Sequence, residues 1–160
     1  MKRILVVVTI VFLAVFMSGV LLAQSDSSVG TWKLNAAKSK SSPVPVPKSR
    51  TVTIEAQGKG VKASADQTAA DGTHTTWSYT ANYDGKDNPV SGTGAPGGAD
   101  TVALKRINAN TTETTWKKGG KVVNTGRSVV SKDGKVRTTT TKGTDANGQP
   151  TSAVSVYDKQ

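Results

Sequence analysis

Apolar and polar residues alternate with a period of two along most of the chain beyond residue 30, as expected for β-strands with one buried face. The clearest run covers residues 75–83, where Trp77, Tyr79, Ala81 and Tyr83 fall on one face and hydroxyl or amide residues fall on the other. Beyond residue 25, no stretch keeps the apolar period of an amphipathic helix. The pattern therefore predicts an all-β domain with essentially no helix.

The alternating runs predict ten strands, most of them joined by short turns. The predicted ranges are 30–35, 51–57, 61–66, 75–83, 88–92, 101–107, 111–118, 121–131, 135–142 and 151–158. Turn dipeptides such as Gly119-Gly120 and Asp133-Gly134 supply the positive φ angles that two-residue hairpin turns need. A twisted meander with this many edges favours closure, so we predict an up-and-down antiparallel barrel of about 8–10 strands.

Two connections are longer than a hairpin turn. Residues 36–50 contain Pro43, Pro45 and Pro47, which exclude a regular helix and favour an extended, polyproline-like passage. Residues 94–98 form a glycine-rich loop. Neither has the composition of a domain linker, so residues 26–160 are predicted to form a single β-barrel domain.

The N-terminal residues have the organisation of a signal peptide. Lys2 and Arg3 precede an apolar stretch, and small residues stand at the positions expected for cleavage after Ser25. Residues 1–25 are thus predicted to be a helical signal peptide of an exported, periplasmic or secreted protein. The alternative is a membrane-anchored protein with an uncleaved leader, because residues 4–23 approach the length of about 20 residues that spans a bilayer.

The absence of cysteine bears on the cellular compartment, and the distribution of charge bears on the kind of partner. The chain has no cysteine, so no disulfide supports the core and no lipid can be attached to a thiol; this favours a bacterial envelope over a eukaryotic secretory route. The formal net charge is +10, and residues 101–142 carry most of the excess. In that second half, ten basic residues face only Glu113 and Asp133: Lys105, Arg106, Lys117, Lys118, Lys121, Arg127, Lys132, Lys135, Arg137 and Lys142. Such a region attracts anions, although lysines beside turns also protect strand edges.

Catalytic, metal and cofactor motifs are absent from the sequence. His74 is the single histidine and has no second His or Cys at metal-ligand spacing, which excludes a zinc site. A Ser-His-Asp triad lacks support, because the chain has no nucleophile-elbow motif beside this one histidine. No glycine-rich phosphate or dinucleotide fingerprint opens a helix. Asp71, Asp84 and Asp133 each precede glycine and are explained by turn chemistry. We predict a non-enzymatic protein without a cofactor, and export argues against nucleic acid as a partner.

Two segments resemble calycin barrels, the group of lipocalins and intracellular fatty-acid-binding proteins. Gly30-Thr31-Trp32-Lys33-Leu34 is similar to their opening G-x-W strand, whose tryptophan plugs one end of the barrel. The C-terminal strand, ending in Val156-Tyr157-Asp158-Lys159, is similar to the last hairpin of fatty-acid-binding proteins. The resemblance implies structural roles for Gly30 and Trp32 and a small apolar or amphipathic ligand, with an acidic group also compatible.

The chain departs from fatty-acid-binding proteins at two places. Residues 36–50 replace their helix-turn-helix lid, and Ser155 stands where their R-x-Y pair would place an arginine. The resemblance therefore leaves Arg127 and Tyr157 as candidates for holding an anionic group. Val123 and Val129 share the face of Arg127 by alternation, which favours an inward over an outward, solvated side chain.

Two functions fit these observations. In the first, Trp77 and Tyr79 wall a ligand cavity and Arg127 lies near an acidic head group; in that reading these aromatic residues compete with simple core packing. In the second, the barrel is filled and the protein is an envelope interaction or structural protein that uses its basic second half on an anionic polymer or lipid surface. A hollow interior favours the first function and a filled interior the second.

Overall fold

The computed structural model describes residues 26–145 and 147–160, and the predicted leader, residues 1–25, lies outside them. Eleven strands form one antiparallel sheet. They are β1 (Gly30–Leu34), β2 (Lys40–Ser42), β3 (Ser49–Gln57), β4 (Gly60–Thr68), β5 (His74–Asn82), β6 (Asp84–Gly92), β7 (Thr101–Asn108), β8 (Thr111–Lys118), β9 (Lys121–Val130), β10 (Val136–Thr144) and β11 (Pro150–Lys159). Short 3-10 turns occur at Ala36–Lys38 and Pro96–Gly98. Within the described ranges, no helix is long and apolar enough to cross a membrane.

The sheet closes on itself. From β3 to β11 each strand pairs with the next in the chain, and β1 pairs with both β3 and β11. Trp32 marks the seam, because it stands opposite Val52 on one side and Lys159 on the other. β2 pairs with an earlier part of β11, so β1 and β2 share one position in a ring of ten. The predicted up-and-down antiparallel barrel is confirmed.

Two details of the strands differ from the prediction. The proline-rich passage contains β2, a strand too short for an alternating pattern to reveal. β6 begins at Asp84 rather than near Asn88 and contains Pro89. Proline lacks the N–H that a residue of a central strand donates to its neighbour. Successive N–H groups of a strand point to opposite sides, and the N–H of Val90 bonds toward β7, so the nitrogen of Pro89 is directed toward β5. The ladder between β5 and β6 covers only Val90 to Gly92, and no bond is lost at Pro89.

One end of the barrel, which we call the closed end, is packed with apolar side chains. It carries the hairpin turns that follow β3, β5 and β7. Trp32 is completely buried there, and its Nε1 donates a 2.8 Å hydrogen bond to the carbonyl oxygen of Ser28. It shares one apolar cluster with buried alternating residues of the surrounding strands: Val52, Ile54, Val61, Ala63, Ala81, Leu104 and Val130. Trp32 thus occupies the plug position that the resemblance predicted.

A polar cluster at the closed end anchors the residues that precede β1. The carboxylate of Asp26 accepts hydrogen bonds from Tyr83, Ser28 and Arg106. Burial alone would raise the pKa of Asp26, but these hydrogen bonds outweigh it and leave the pKa below its ordinary value. Burial and the bond to Asp26 raise the pKa of Tyr83 to about 12. The Arg106 guanidinium lies 4.0 Å from the Tyr83 ring centroid, so the cluster compensates its charges internally.

Candidate ligand-binding cavity

The other half of the barrel, which we call the open half, is hollow. It holds a cavity of about 510 Å³ whose mouth lies between the proline-rich segment 43–47 and the loop 94–98. The cavity exists because the inward positions of β9, β10 and β11 carry small side chains. These positions are Gly126, Ser128, Thr139, Thr141, Ala153 and Ser155. A volume of this size suits a small ligand. Of the two interiors considered in the sequence analysis, hollow or filled, the cavity favours the hollow one.

Three aromatic residues form one wall of the cavity. Trp77 and Tyr79 follow each other on the inner face of β5, with nearly parallel rings whose centroids are 5.6 Å apart. Trp116, from β8, meets both edge-on at 5.3 and 5.6 Å. These offset and edge-to-face arrangements suit the ring quadrupoles and keep the wall rigid. The predicted positions of Trp77 and Tyr79 on a cavity wall agree with this arrangement.

The wall across the barrel is polar. In the ring of ten strand positions, β10 lies five positions from β5 in either direction, which places it directly opposite the aromatic wall. Its inward residues are Arg137, Thr139 and Thr141. Ser128 and Ser155 flank Thr139 on the adjacent strands. A ligand in this space therefore meets aromatic surface on one side and hydroxyl groups with a guanidinium on the other.

Arg137 lies inside the barrel without a carboxylate partner. Its Nη2 donates to Ser128 Oγ at 3.1 Å, and its Cζ lies 5.8 Å from the Tyr157 ring centroid. Its Nε is buried and has no hydrogen-bond partner among the described residues. Burial lowers the pKa of Arg137, yet a guanidinium stays protonated in proteins, so the site keeps its positive charge.

Arg50 brings a second guanidinium to the same place. Its Nη1 donates to the Tyr157 hydroxyl at 3.1 Å, and its Nε donates to Gln67 Oε1 at 2.6 Å. Tyr157 is itself buried and stands opposite Arg137 in the β10–β11 ladder. Ion pairs within the described ranges use Asp26, Asp66, Asp87 and Glu113, and none of them involves either of these arginines. Two uncompensated positive charges and a phenol thus converge on the cavity.

The prediction that Arg127 faces inward is wrong. Its side chain is 53% exposed and its Nη1 bonds to Glu113 Oε1 at 2.8 Å on the outer surface. The inward residues of β9 are Asn124, Gly126 and Ser128, because the wall there borders a cavity rather than an apolar core. Because the inward residues of β9 at the cavity are small or polar, the apolar residues of its alternating pattern do not mark the inner face there.

Tyr157, the remaining predicted ligand-binding residue, lies in the cavity wall. The positive charge expected from Arg127 comes instead from two residues that were not predicted, Arg137 and Arg50. Sequence reasoning missed both arginines. Arg137 alternates with Thr139 and Thr141, so the signal was a charged residue in phase with small hydroxyl residues on a strand beside the last one. Arg50 alternates with Val52 and Ile54 but falls just outside the strand range predicted there.

The basic second half is less available to an external anion than its composition indicated. Arg106 and Arg137 point into the barrel, where Arg106 binds Asp26. On the outside, Lys117 pairs with Asp87 at 2.8 Å and Arg127 pairs with Glu113. His74 contacts Asp66 on the exposed surface. Among the described residues, no three histidine, aspartate or glutamate side chains come together as a metal site would require.

No family model and no curated protein sequence matches the chain. Among solved structures, it is similar to the zebrafish ileal bile acid-binding protein complexed with cholic acid. The two share 10% sequence identity with a TM-score of 0.48, over 84% of this chain and 99% of that one. The likeness is one of strand arrangement.

Proposed function

We propose that this chain is an exported, non-enzymatic binding protein that takes a small amphipathic anion into the open half of its barrel. The observation that carries this proposal is the pair of cavity arginines, Arg137 and Arg50, neither of which forms an ion pair with a carboxylate of the described residues. A buried charge without a partner is costly, so its retention in a hollow space points to a partner that arrives from outside.

The head-group site follows from the donors that point into the cavity. Arg137 lines the cavity, and the forked donors of a guanidinium match the two oxygens of a carboxylate. Arg50 and the Tyr157 hydroxyl are linked by a hydrogen bond beside it, so a second charge and a phenol complete the surroundings. An acid bound here would form the ion pair that these arginines lack and would remove their electrostatic cost to the stability of the fold.

The apolar part of the ligand has its own contact surface. Trp77, Tyr79 and Trp116 line the same cavity as the two arginines. Val44, Pro45 and Val46 of the proline-rich segment add further apolar lining. An acid therefore enters with its head group toward the barrel centre and its apolar part along the aromatic wall.

Binding of lauric acid and of lauryl alcohol, its neutral counterpart, tests the proposal. Tryptophan fluorescence reports binding, because two of the three tryptophans lie in the cavity wall. We expect lauric acid to bind at least tenfold more tightly than the alcohol, because a hydrogen bond to a charged group contributes roughly 1.5–3 kcal/mol. Arg137→Met and Arg50→Met should each remove most of this preference.

Arg127→Met is the matched control, because it removes the same charge from the outer surface. It should leave the affinity and the preference for the acid unchanged. Equal affinity for acid and alcohol in the wild-type protein, or no binding of either, contradicts the proposed function.

Export is the second part of the proposal, and the leader at residues 1–25 supports it. Expression of the full chain in a bacterium followed by fractionation and N-terminal sequencing tests this part. We expect mature protein in the periplasm or medium, beginning at Asp26. Full-length protein in the membrane fraction supports an uncleaved anchor instead, and full-length protein in the cytoplasm contradicts export.

A further inference from the structure

Asn124 is a buried polar residue of the cavity that the head-group site does not use. It is 8% exposed, lies on β9 opposite Trp116 of β8 and Gly143 of β10, and lines the cavity toward its mouth. Its Oδ1 is buried and accepts no hydrogen bond from any described residue. A buried amide oxygen without a hydrogen-bond donor destabilises the folded state, so the polar side chain at this position calls for a physical explanation, as Arg137 does.

The separation between Asn124 and the head-group site is set by β9. Arg137 bonds to Ser128, which lies four residues from Asn124 on the same strand, and both side chains face the cavity. A strand rises about 3.3 Å per residue, so Ser128, the hydrogen-bond partner of Arg137, lies about 13 Å along β9 from Asn124. Gly126 lies between them and has no side chain to interrupt the wall. This stretch of β9 therefore carries a polar side chain at each end and none between them on the inner face.

Resting on the proposed function, we infer that the ligand carries two polar groups: an acid that binds Arg137, and a hydroxyl or amide about 13 Å away that binds Asn124. Such a molecule belongs to the class of hydroxylated, or similarly oxygenated, medium-chain acids rather than simple fatty acids. A hydroxyl group donates to an amide oxygen and accepts from an amide nitrogen, so it satisfies Asn124 in either orientation of its side chain.

A simple fatty acid meets only half of this site. Its terminal methyl group would lie against the Asn124 amide and offer it no hydrogen bond, so the amide oxygen would stay unpaired. The same polar group also discriminates by length, because a hydroxyl placed near the acid cannot reach Asn124 from the head-group site. Specificity would thus arise from a penalty on the wrong ligand as well as from a bond to the right one.

Calorimetry with lauric acid and ω-hydroxylauric acid tests the inference, because the extended chain of these acids matches the distance between the two sites. We expect the hydroxylated acid to bind the wild-type protein about tenfold more tightly. In Asn124→Leu the preference should disappear, with lauric acid bound at least as well as before. Thr125→Val, on the neighbouring outward position of the same strand, should keep the preference.

The outcomes separate this inference from the proposed function. Equal binding of both acids, or tighter binding of lauric acid, to the wild-type protein overturns the two-group ligand while leaving the anion site intact. A preference that survives in Asn124→Leu also overturns it, because the hydroxyl then binds elsewhere. Failure of both acids to bind overturns the proposed function itself. The wild-type comparison does not depend on the folding of any variant.

Discussion

The two halves of one barrel use the same strands for opposite purposes. In the closed end, inward positions carry Trp32, Ile54 and Leu104, whose side chains are almost completely buried. In the open half, the inward positions of the same sheet carry arginine, threonine and serine, and they leave a cavity of about 510 Å³. Stability is therefore concentrated at one end and recognition at the other.

The charged clusters show the same division. At the closed end, Arg106 is neutralised by Asp26 and packs on Tyr83, so no ligand is needed there. In the open half, Arg137 and Arg50 have hydroxyl and amide partners but no carboxylate. A compensated arginine supports the fold, whereas an uncompensated arginine beside a cavity costs stability and is available to an anion.

The largest difference should appear when each half loses a tryptophan. Trp32→Ala removes a fully buried side chain and its bond to Ser28, so the free energy of unfolding should fall by about 3–5 kcal/mol. Trp77→Ala removes a partly exposed wall residue and should cost less than half as much. Urea denaturation of both variants measures this. Equal losses would contradict the division between a packed and a hollow half.

Arg137→Met should change stability in the opposite direction. Replacing a half-buried charge that has no ion pair with an apolar side chain of similar length should raise the free energy of unfolding by about 1 kcal/mol. Arg106→Met, at the closed end, should lower it, because Asp26 then loses a partner. The same urea experiment gives both signs. A destabilised Arg137→Met with an unaffected Arg106→Met would reverse the roles assigned to the two arginines.

The barrel itself was predictable because its signals are local. The two-residue period, the glycine-containing turns and the G-x-W strand led to strand order, closure and the buried Trp32. The inner face of residues 75–83 also followed, because Tyr79 and Ala81 lie against neighbours that are apolar as well. In these places apolar and aromatic residues mark the interior, both where it is packed and along the aromatic wall of the cavity.

The head-group site was not predictable in the same way. On β9 the outward Val129 and Arg127 alternate with the inward Ser128 and Gly126, so the apolar residue marks the wrong face. The convergence of Arg50, Arg137 and Tyr157 depends on the register of distant strands, which no local pattern contains. A hollow interior thus removes the signal on which sequence reasoning relies.

The closed-end cluster should make stability depend on pH. Because hydrogen bonds lower the pKa of Asp26 in the folded state, its contribution is present above the ordinary carboxyl value of 3.8 and is lost as the pH falls through the folded-state value. Asp26→Asn should therefore be less stable at neutral pH and show a smaller loss below pH 3.8.

The control for this pH dependence is Glu55→Gln, at an exposed position outside the cluster, which should keep the wild-type profile. Thermal unfolding followed by circular dichroism across the acid range compares the variants. An Asp26→Asn variant with the wild-type acid profile would mean that the cluster does not set it.

The smallest effect is expected on the outer surface. Arg127→Gln breaks a solvent-exposed pair with Glu113, so the free energy of unfolding should change by no more than about 0.5 kcal/mol, and less at high salt. Denaturation at two salt concentrations checks this. A larger, salt-independent loss would mean that this pair contributes to the fold in a way its exposure does not indicate.

The central claim is that the open half binds an amphipathic acid while the closed end does not take part. Titration of isotope-labelled protein with lauric acid, followed through the three tryptophan indole N–H signals in an NMR spectrum, tests it most directly. The account predicts that the signals of Trp77 and Trp116 shift, together with the Nε–H of Arg137, while the signal of Trp32 stays in place. A shift of Trp32 alone, or no shift at any of these groups, would contradict it.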